Sequence, residues 1–482
     1  MLFYLFILTS NIIFILNIIF SKNEKLIFVE LLSRHGARAP TKLNDGGLDI
    51  LGVKWNNTGE LTSVGKRMEY LLGVFNRHRY ISKYGFISPR FEPHQLVVYS
   101  SDINRTLLSI TSQLQGFYPV SKEIGDTLNE EQYETSFPPF NISFEDIENK
   151  INELNNSALP NYMTVIPIHF ITLKNTTSEC TQKVTNINNN NANTKKTIID
   201  FVEDFNKKFA EKLNIRFNRT IETKYNFSLI LPFYDTAVAD LTEGNNITNF
   251  FLNTSIDKNT FIEKRYEALT INFRDFIFGD DNNEVILFYD TPLFRDMINN
   301  MKRKIEDDIN GNPSLKNVSD FSRPKMVIIS AHDTTLSAFE MFFIRFFGLK
   351  FEQFEFPSYT SQISFEITRD DDIAGKKLKY SDYKVSYYFN DKLLLNITFD
   401  KFVEKIEKNL WNNEKMDRFC FGDKKESEKI EATLIVIIIM GFIILILVIA
   451  IIFFLIKLTQ KTDNDMFGDS EKDNRLLNDD KK

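Results

Sequence analysis

The fold is indicated first by residues 25–40, K-L-I-F-V-E-L-L-S-R-H-G-A-R-A-P. In this stretch a short apolar run is followed at once by a cluster of polar side chains. The run at 25–33 predicts a buried strand. The same order recurs at 95–106 (Q-L-V-V-Y-S, then S-D-I-N-R-T) and at 326–336 (M-V-I-I-S, then A-H-D-T-T-L). Strands that lead into helices through short polar turns predict an α/β fold with a mostly parallel sheet flanked by helices.

The elements around these strands follow from their periodicity. Apolar residues at helical spacing predict three helices, at 60–75 with Thr62 as the N-cap, at 103–115 and at 334–347. Alternating residues at 363–368 and 384–389 predict antiparallel strands near the edge of the sheet.

The polar clusters after the three strands predict one shared site. The carboxyl ends of parallel strands line the same crevice, where ligands bind in open α/β sheets. Six side chains would meet there: Arg34, His35, Arg38, Arg105, His332 and Asp333.

The types of these side chains point to phosphate chemistry. Three guanidinium groups match phosphate oxygens in bidentate fashion, and their mutual repulsion is relieved by an anion. Surrounding positive charge would keep His35 neutral, with a ring nitrogen able to attack phosphorus. His332 could stabilise negative charge in the transition state, and Asp333 could protonate the departing oxygen.

Two of these stretches, R-H-G-A-R-A-P (34–40) and S-A-H-D-T-T-L (330–336), resemble the signatures of the histidine acid phosphatases, in particular the lysosomal and prostatic acid phosphatases. The resemblance covers most of residues 26–420 and includes Y-S-S-D-I-N-R-T (99–106) and P-S-Y-T-S-Q-I-S-F-E (357–366). It implies an α/β body of the histidine-phosphatase and phosphoglycerate-mutase type with an inserted, mainly helical cap. It implies the following roles: a phosphohistidine on His35, a proton donor at Asp333, and a phosphate clamp of Arg34, Arg38, Arg105 and His332.

The chain departs from that family pattern at two positions near the site. Ala37 stands where the lysosomal and prostatic members carry Asp, whereas related phytases have Ala there, and this leaves substrate preference open. Asn104 replaces a usual Asp and creates a glycosylation sequon beside Arg105, which we expect to be unmodified because a glycan would block the cleft.

Other functions stay open beside the acid phosphatase. A phytase or a lysophosphatidic-acid phosphatase of the same family would share the clamp. A catalytically idle membrane glycoprotein that binds phosphorylated ligands would not need both a nucleophile and an acid. The five histidines lie outside any cysteine cluster or HExxH spacing, so the sequence predicts no metal site and no cofactor.

Two apolar segments predict how the chain meets the membrane. Residues 1–21 resemble a secretory signal peptide, although the missing basic n-region leaves an uncleaved anchor as an alternative. Residues 434–456 are free of charge and long enough to span a bilayer. The predicted organisation is a lumenal phosphatase domain at 22–430 with a helical cap at about 120–323, the membrane helix, and a cytoplasmic tail at 457–482.

Further features agree with a type I membrane glycoprotein of a lysosome-like lumen or the cell surface. Eleven sequons precede the predicted membrane helix, at Asn56, Asn104, Asn141, Asn155, Asn175, Asn218, Asn226, Asn246, Asn253, Asn317 and Asn396. The only two cysteines, Cys180 and Cys420, predict a disulfide, with two buried free thiols as the alternative.

The charge of the chain and its tail bear on partners. A net charge of −7 argues against nucleic-acid binding. Asp473, Leu476 and Leu477 resemble an acidic dileucine signal read by sorting adaptors, since adjacent leucines in so polar a tail do not belong to a core. We expect a small phosphomonoester as substrate and leave a homodimer open.

Overall fold

The computed structural model of the chain describes residues 24–43, 47, 49, 51–138, 147–171, 178–190, 227–245, 267, 269–279, 282–311, 323–371, 377–422 and 433–458. The strands are β1 (Glu24–Arg34), β2 (Leu96–Ser100), β3 (His169–Phe170), β4 (Met326–Ala331), β5 (Gln362–Asp370), β6 (Tyr383–Phe389) and β7 (Lys392–Thr398). The helices are α1 (Ser63–Arg77), α2 (Asn104–Phe117), α3 (Glu130–Glu134), α4 (Ile147–Leu154), α5 (Ser178–Asn190), α6 (Phe227–Glu243), α7 (Glu284–Ile309), α8 (Asp333–Phe347), α9 (Phe399–Asn409), α10 (Asn413–Phe421) and α11 (Thr433–Leu458).

These strands form one sheet in the order β3-β2-β4-β1-β5-β6-β7. Strands β3, β2, β4 and β1 run parallel, and β5, β6 and β7 continue the sheet in antiparallel fashion. The α/β fold and its three predicted parallel strands are therefore confirmed, but the sheet is mixed, with half of its pairings antiparallel. The prediction that β5 lies near the edge is wrong, because β5 pairs with β1 on one side and with β6 on the other, and most of its residues are buried.

The sheet is covered on both faces by different kinds of side chain. Val29 and Leu31 of β1 pack with Ile110 and Leu114 of α2 on one face. Successive strand residues point to opposite faces, so Glu30, between Val29 and Leu31 in β1, faces the other side of the sheet. There an aromatic core carries the packing, with the Phe343 and Tyr387 rings stacked at 4.2 Å between centroids. The aromatic residues of this face are Phe294, Phe339, Phe342, Phe343, Phe365, Tyr387 and Phe402.

Capping residues mark the start of one helix of the α/β body and the end of another. Helix α1 begins after Thr62, whose hydroxyl accepts a hydrogen bond from the Gly65 N–H at 3.0 Å, as the sequence predicted. Helix α8 begins at Asp333, one residue after β4, and ends at Phe347, where the next residue, Gly348, adopts the left-handed conformation with φ of 77°. Short loops from strand to helix keep the first residues of α2 and α8 at the carboxyl edge of the sheet.

A second compact unit comprises residues 177–180 and 412–482. Within it Cys180 and Cys420 form a disulfide, which confirms the predicted pairing over the alternative of two free thiols. Its helix α11 is long and apolar enough to cross a membrane, and its bounds agree with the span predicted at 434–456. The predicted signal peptide at 1–21 and all but the first two residues of the predicted tail lie outside the described residues.

Candidate active site

Backbone hydrogen bonds bring the ends of the three parallel strands to one edge of the sheet. The His35 N–H donates to the Ala331 carbonyl at 3.1 Å, which joins the end of β1 to the end of β4. The Ser101 N–H donates to the Ser330 carbonyl at 3.2 Å, which adds the end of β2. The six predicted side chains therefore meet, as the strand ends alone had indicated.

The side chain of His35 is buried and is oriented by the backbone of its own loop. Its Nδ1 lies 2.8 Å from the Gly36 carbonyl oxygen. Because a carbonyl can only accept, Nδ1 carries the proton and the ring lone pair is on Nε2. Burial lowers the pKa of His35 well below 6.5, and the charges of Arg34, Arg38 and Arg105 lower it further. The imidazole is therefore neutral and has a free lone pair at ordinary pH.

His332 lies beside His35, with the two ring centroids 5.6 Å apart in an edge-to-face arrangement. Its Nδ1 accepts from Arg105 Nη2 at 3.5 Å, so its Nε2 donates to the Ser101 hydroxyl at 2.9 Å. Burial and the charge of Arg105 lower the pKa of His332 to about 4. Both histidines of the site are thus kept neutral by burial first and then by the charges of the same arginines.

Arg34 is the most enclosed of the three arginines. Its Nη1 donates to the Pro357 carbonyl at 2.7 Å, and its Nη2 lies 2.7 Å from Asp333 Oδ2. The guanidinium also lies over the Tyr359 ring, 4.5 Å from the centroid. These contacts come from α8 and from the loop before β5, and together they hold the cation in one orientation.

Arg38 forms an ion pair with a residue from the long segment between β2 and β4. Its Nη1 and Nη2 donate to Oδ2 and Oδ1 of Asp235, at 3.1 and 2.8 Å, in a bidentate pair. Asp235 belongs to α6 and lies 197 residues further along the chain. The charge of Asp235 raises the pKa of Arg38 despite the opposing effect of burial.

Asp333 stands at the rim of the site, with its side chain 21% exposed. Its Oδ1 accepts from the Thr334 N–H at 2.8 Å while Oδ2 faces Arg34. A carboxyl group at this position can exchange protons with both a bound group and solvent.

The three arginines also present unused donors. The Nε atoms of Arg34, Arg38 and Arg105 are buried and have no hydrogen-bond partner among the described residues. An anion bound between them would satisfy these donors. Within the same described part of the chain, no three His, Cys, Asp or Glu side chains are placed to hold a metal ion.

Sequence analysis missed three residues of this site: Asp235, Tyr359 and Ser101. Ser101 and Tyr359 lie inside stretches that carried the family resemblance, but their contacts depend on the fold. Asp235 left one signal, since it interrupts the otherwise apolar run L-I-L-P-F-Y-D-T-A-V-A at 229–239. A carboxylate within an apolar stretch requires a partner when the stretch is buried.

A buried neutral histidine lies among three arginines at the carboxyl ends of parallel strands, an arrangement suited to binding a phosphate group. The chain belongs to the histidine phosphatase superfamily (branch 2), whose family model matches residues 25–390.

Curated relatives resemble parts of the chain. Lysosomal acid phosphatase of Xenopus laevis is 34% identical over 99 residues, which is 20% of this chain and 22% of the relative. Testicular acid phosphatase of Homo sapiens is 36% identical over 97 residues, with the same shares of 20% and 22%. The match therefore spans about a fifth of the length of these relatives.

The fold resembles solved structures over a larger part of the chain. The phytase of Klebsiella sp. ASR1 superimposes with a TM-score of 0.50 at 13% identity, over 81% of this chain and 97% of the phytase. At this identity the likeness shows the fold alone.

Proposed function

We propose that the protein is an acid phosphatase that hydrolyses phosphate monoesters through a phosphohistidine on His35. The observation that carries the proposal is the buried His35 ring, which is neutral, has its lone pair on Nε2 and feels the charges of Arg34, Arg38 and Arg105. Neutral imidazole is the nucleophilic form, and the arginines supply the charge that binds phosphate.

In the first step the Nε2 lone pair forms a bond to phosphorus while the bond from phosphorus to the ester oxygen breaks. The electron pair of that bond goes to the departing oxygen, which takes the proton of Asp333. Because Asp333 must carry this proton at the start, the reaction favours acidic pH. Arg34, Arg38, Arg105 and His332 would hold the non-bridging oxygens as charge shifts onto them.

In the second step water attacks phosphorus and the bond from phosphorus to Nε2 breaks. The electron pair returns to the imidazole, and the Asp333 carboxylate accepts a proton from the attacking water. Phosphate leaves, and both residues are back in their starting states. Each group thus acts twice, in opposite directions.

The surroundings of the site are part of the proposal. Residues at about 120–323 would form a helical cap over the phosphate site and select the organic part of the substrate. The chain would be a single-pass type I glycoprotein with 22–430 in the lumen, after removal of 1–21. The apolar helix Thr433–Leu458 supports the anchor, and the disulfide within residues 22–430 suits an oxidising lumen.

Delivery to lysosome-like compartments by adaptors that bind Asp473, Leu476 and Leu477 completes the proposal. Replacing both leucines by alanine should move the protein to the cell surface. If the tagged double variant kept the wild-type distribution, the sorting role of these residues would be refuted, and the proposed activity would be unaffected.

The activity is tested on the full-length chain in detergent, with p-nitrophenyl phosphate between pH 4 and 8 in the presence of EDTA. We expect an acid optimum, survival of chelation, and loss of activity in His35→Ala. The exposed His78 gives the matched control, since His78→Ala should keep full activity. A folded but inactive wild-type chain would point instead to a phosphate-binding module without catalysis.

A further inference from the structure

The charge balance of the phosphate site depends on two carboxylates. Asp333 pairs with Arg34 from the end of β4, and Asp235 pairs with Arg38 from α6. The proposed chemistry gives Asp333 a proton to transfer, but it leaves Asp235 without a function. Asp235 is nevertheless 2.8 Å from a guanidinium that would hold the substrate phosphate.

The donors of Arg38 show how Asp235 and a phosphate can share one side chain. A guanidinium has five N–H donors in a fixed plane. One N–H of Nη1 donates to the Ala39 carbonyl at 3.0 Å, and the edge formed by Nη1 and Nη2 donates to Asp235. The two remaining donors, Nε–H and the second N–H of Nη2, lie side by side on another edge.

That remaining edge is itself a bidentate fork. Its Nε is buried and has no hydrogen-bond partner among the described residues. Two parallel N–H groups at this spacing match two oxygens of a phosphate. Asp235 therefore does not have to leave when phosphate arrives, because each anion takes a different edge of the same cation.

We propose that Asp235 is a positioning residue, which holds the Nη1/Nη2 edge of Arg38 so that the Nε/Nη2 edge is presented to the substrate phosphate. The inference rests on the proposed phosphatase function, and it links α6 to phosphate binding. A carboxylate on both Nη atoms removes the rotation of the guanidinium that would otherwise oppose binding. It also offsets one of three clustered positive charges before substrate arrives.

The test compares Asp235→Asn and Asp235→Ala with the wild-type full-length chain. Asp391→Asn is the matched control. Asp391 also forms an ion pair with an arginine, Arg79, at a distance of 2.7 Å, but neither residue belongs to the candidate site. For p-nitrophenyl phosphate, we expect both Asp235 variants to raise KM about 10- to 100-fold. The Ki of inorganic phosphate should rise in parallel, with a smaller change in kcat, while the control keeps wild-type values.

Two other roles of Asp235 would give different results. If Asp235 were an internal competitor for Arg38, its removal would lower KM and Ki, and that result would overturn the proposal. If it only fastened α6, thermal stability would fall in the absence of phosphate while Ki stayed constant, which would also overturn it. Asp235→Asn keeps the size of the side chain, so it remains informative if the alanine variant fails to fold.

The increase in Tm caused by inorganic phosphate separates this inference from the proposed activity. A wild-type chain that is stabilised by phosphate but hydrolyses no ester would refute the phosphatase function only. Loss of that stabilisation in the Asp235 variants would still support the positioning role. A wild-type chain that phosphate does not stabilise would overturn the inference as well.

Discussion

Gly36 and Gly65 meet backbone to backbone beside the candidate active site. A Cβ on Gly36 would lie 2.5 Å from the Gly65 carbonyl oxygen, and a Cβ on Gly65 would lie 2.1 Å from the Ala37 carbonyl oxygen. Thr62 joins the same two segments, because its N–H donates to the Ala37 carbonyl at 3.0 Å. The first turn of α1 is thus pressed onto the loop that carries Arg38.

Substituting Gly65 by alanine should therefore displace this loop. Backbone atoms cannot move aside as a flexible side chain can, and overpacking costs about 1–3 kcal/mol in folding. We expect a lower Tm and a loss of phosphatase activity that exceeds the loss of folded protein. Gly441→Ala is the control and should change neither quantity, because a Cβ on this glycine of α11 has no atom of the described chain within 4 Å.

The lowered pKa values of His35 and His332 predict how kcat/KM depends on pH on the acid side. An unperturbed histidine would gain its proton near pH 6.5, whereas burial and the charge of Arg105 lower the pKa of His332 to about 4. The pKa of His35 is lowered as well, so falling pH leaves both rings neutral well below 6.5. The measured kcat/KM should show no acid-side loss near pH 6.5. A histidine inflection at that pH would contradict the neutral site.

The proton donor is tested by the choice of leaving group. Asp333→Asn should reduce hydrolysis of alkyl phosphates, whose leaving groups need protonation, by about 10²- to 10⁴-fold. Loss with p-nitrophenyl phosphate should be much smaller, since its leaving group departs as an anion. The variant changes the contact between Arg34 and residue 333 in the same way whichever substrate is used. The ratio of the two activity losses, for alkyl phosphate and for p-nitrophenyl phosphate, therefore isolates proton transfer. Equal losses would assign Asp333 to binding alone.

Buried carboxyl groups predict greater stability in acid. Burial raises the pKa of Glu69 from 4.5 to about 8, so between these values the folded chain holds a proton that the unfolded chain releases. Stability is then lost as pH rises through this window, by about 1.4 kcal/mol per pH unit. Glu69→Gln removes the titration.

Thermal unfolding should therefore show a Tm difference between Glu69→Gln and the wild-type chain that grows from pH 5 to pH 7.5 in favour of the variant. Glu404→Gln, at an exposed position of α9, should show no such trend. A constant difference for Glu69→Gln would mean that its carboxyl is ionised in the folded chain.

The sequence predicts those strands and site residues whose pattern is visible within a short stretch of the chain. The apolar runs of β1, β2 and β4, each ending in polar residues, were enough to predict where Arg34, Arg105 and His332 meet. Strand β7 was missed because none of its side chains is fully buried and its sequence K-L-L-L-N-I-T alternates only in part. Strand β3 has only two residues, too few for a pattern.

The contacts that escaped prediction join distant parts of the chain. Asp235 meets Arg38 only because α6 reaches the end of β1, and no spacing along the chain records this. Tyr359 lies under Arg34 because β5 runs antiparallel to β1, so that the loop entering β5 starts where β1 ends. The family resemblance supplied chemistry at six positions but not the residues that orient them.

The pairing of β1 has a consequence for the order of events during biosynthesis. Its partners are β4, with Val29 opposite Met326, and β5, with Leu32 opposite Ile363. The ribosome adds about 5–20 residues per second, so this apolar strand waits on the order of tens of seconds for both neighbours. Until then its unpaired edges are exposed to aggregation. A nascent chain of this protein should therefore depend on chaperones until its last quarter emerges, and truncations before β5 should be recovered as insoluble material.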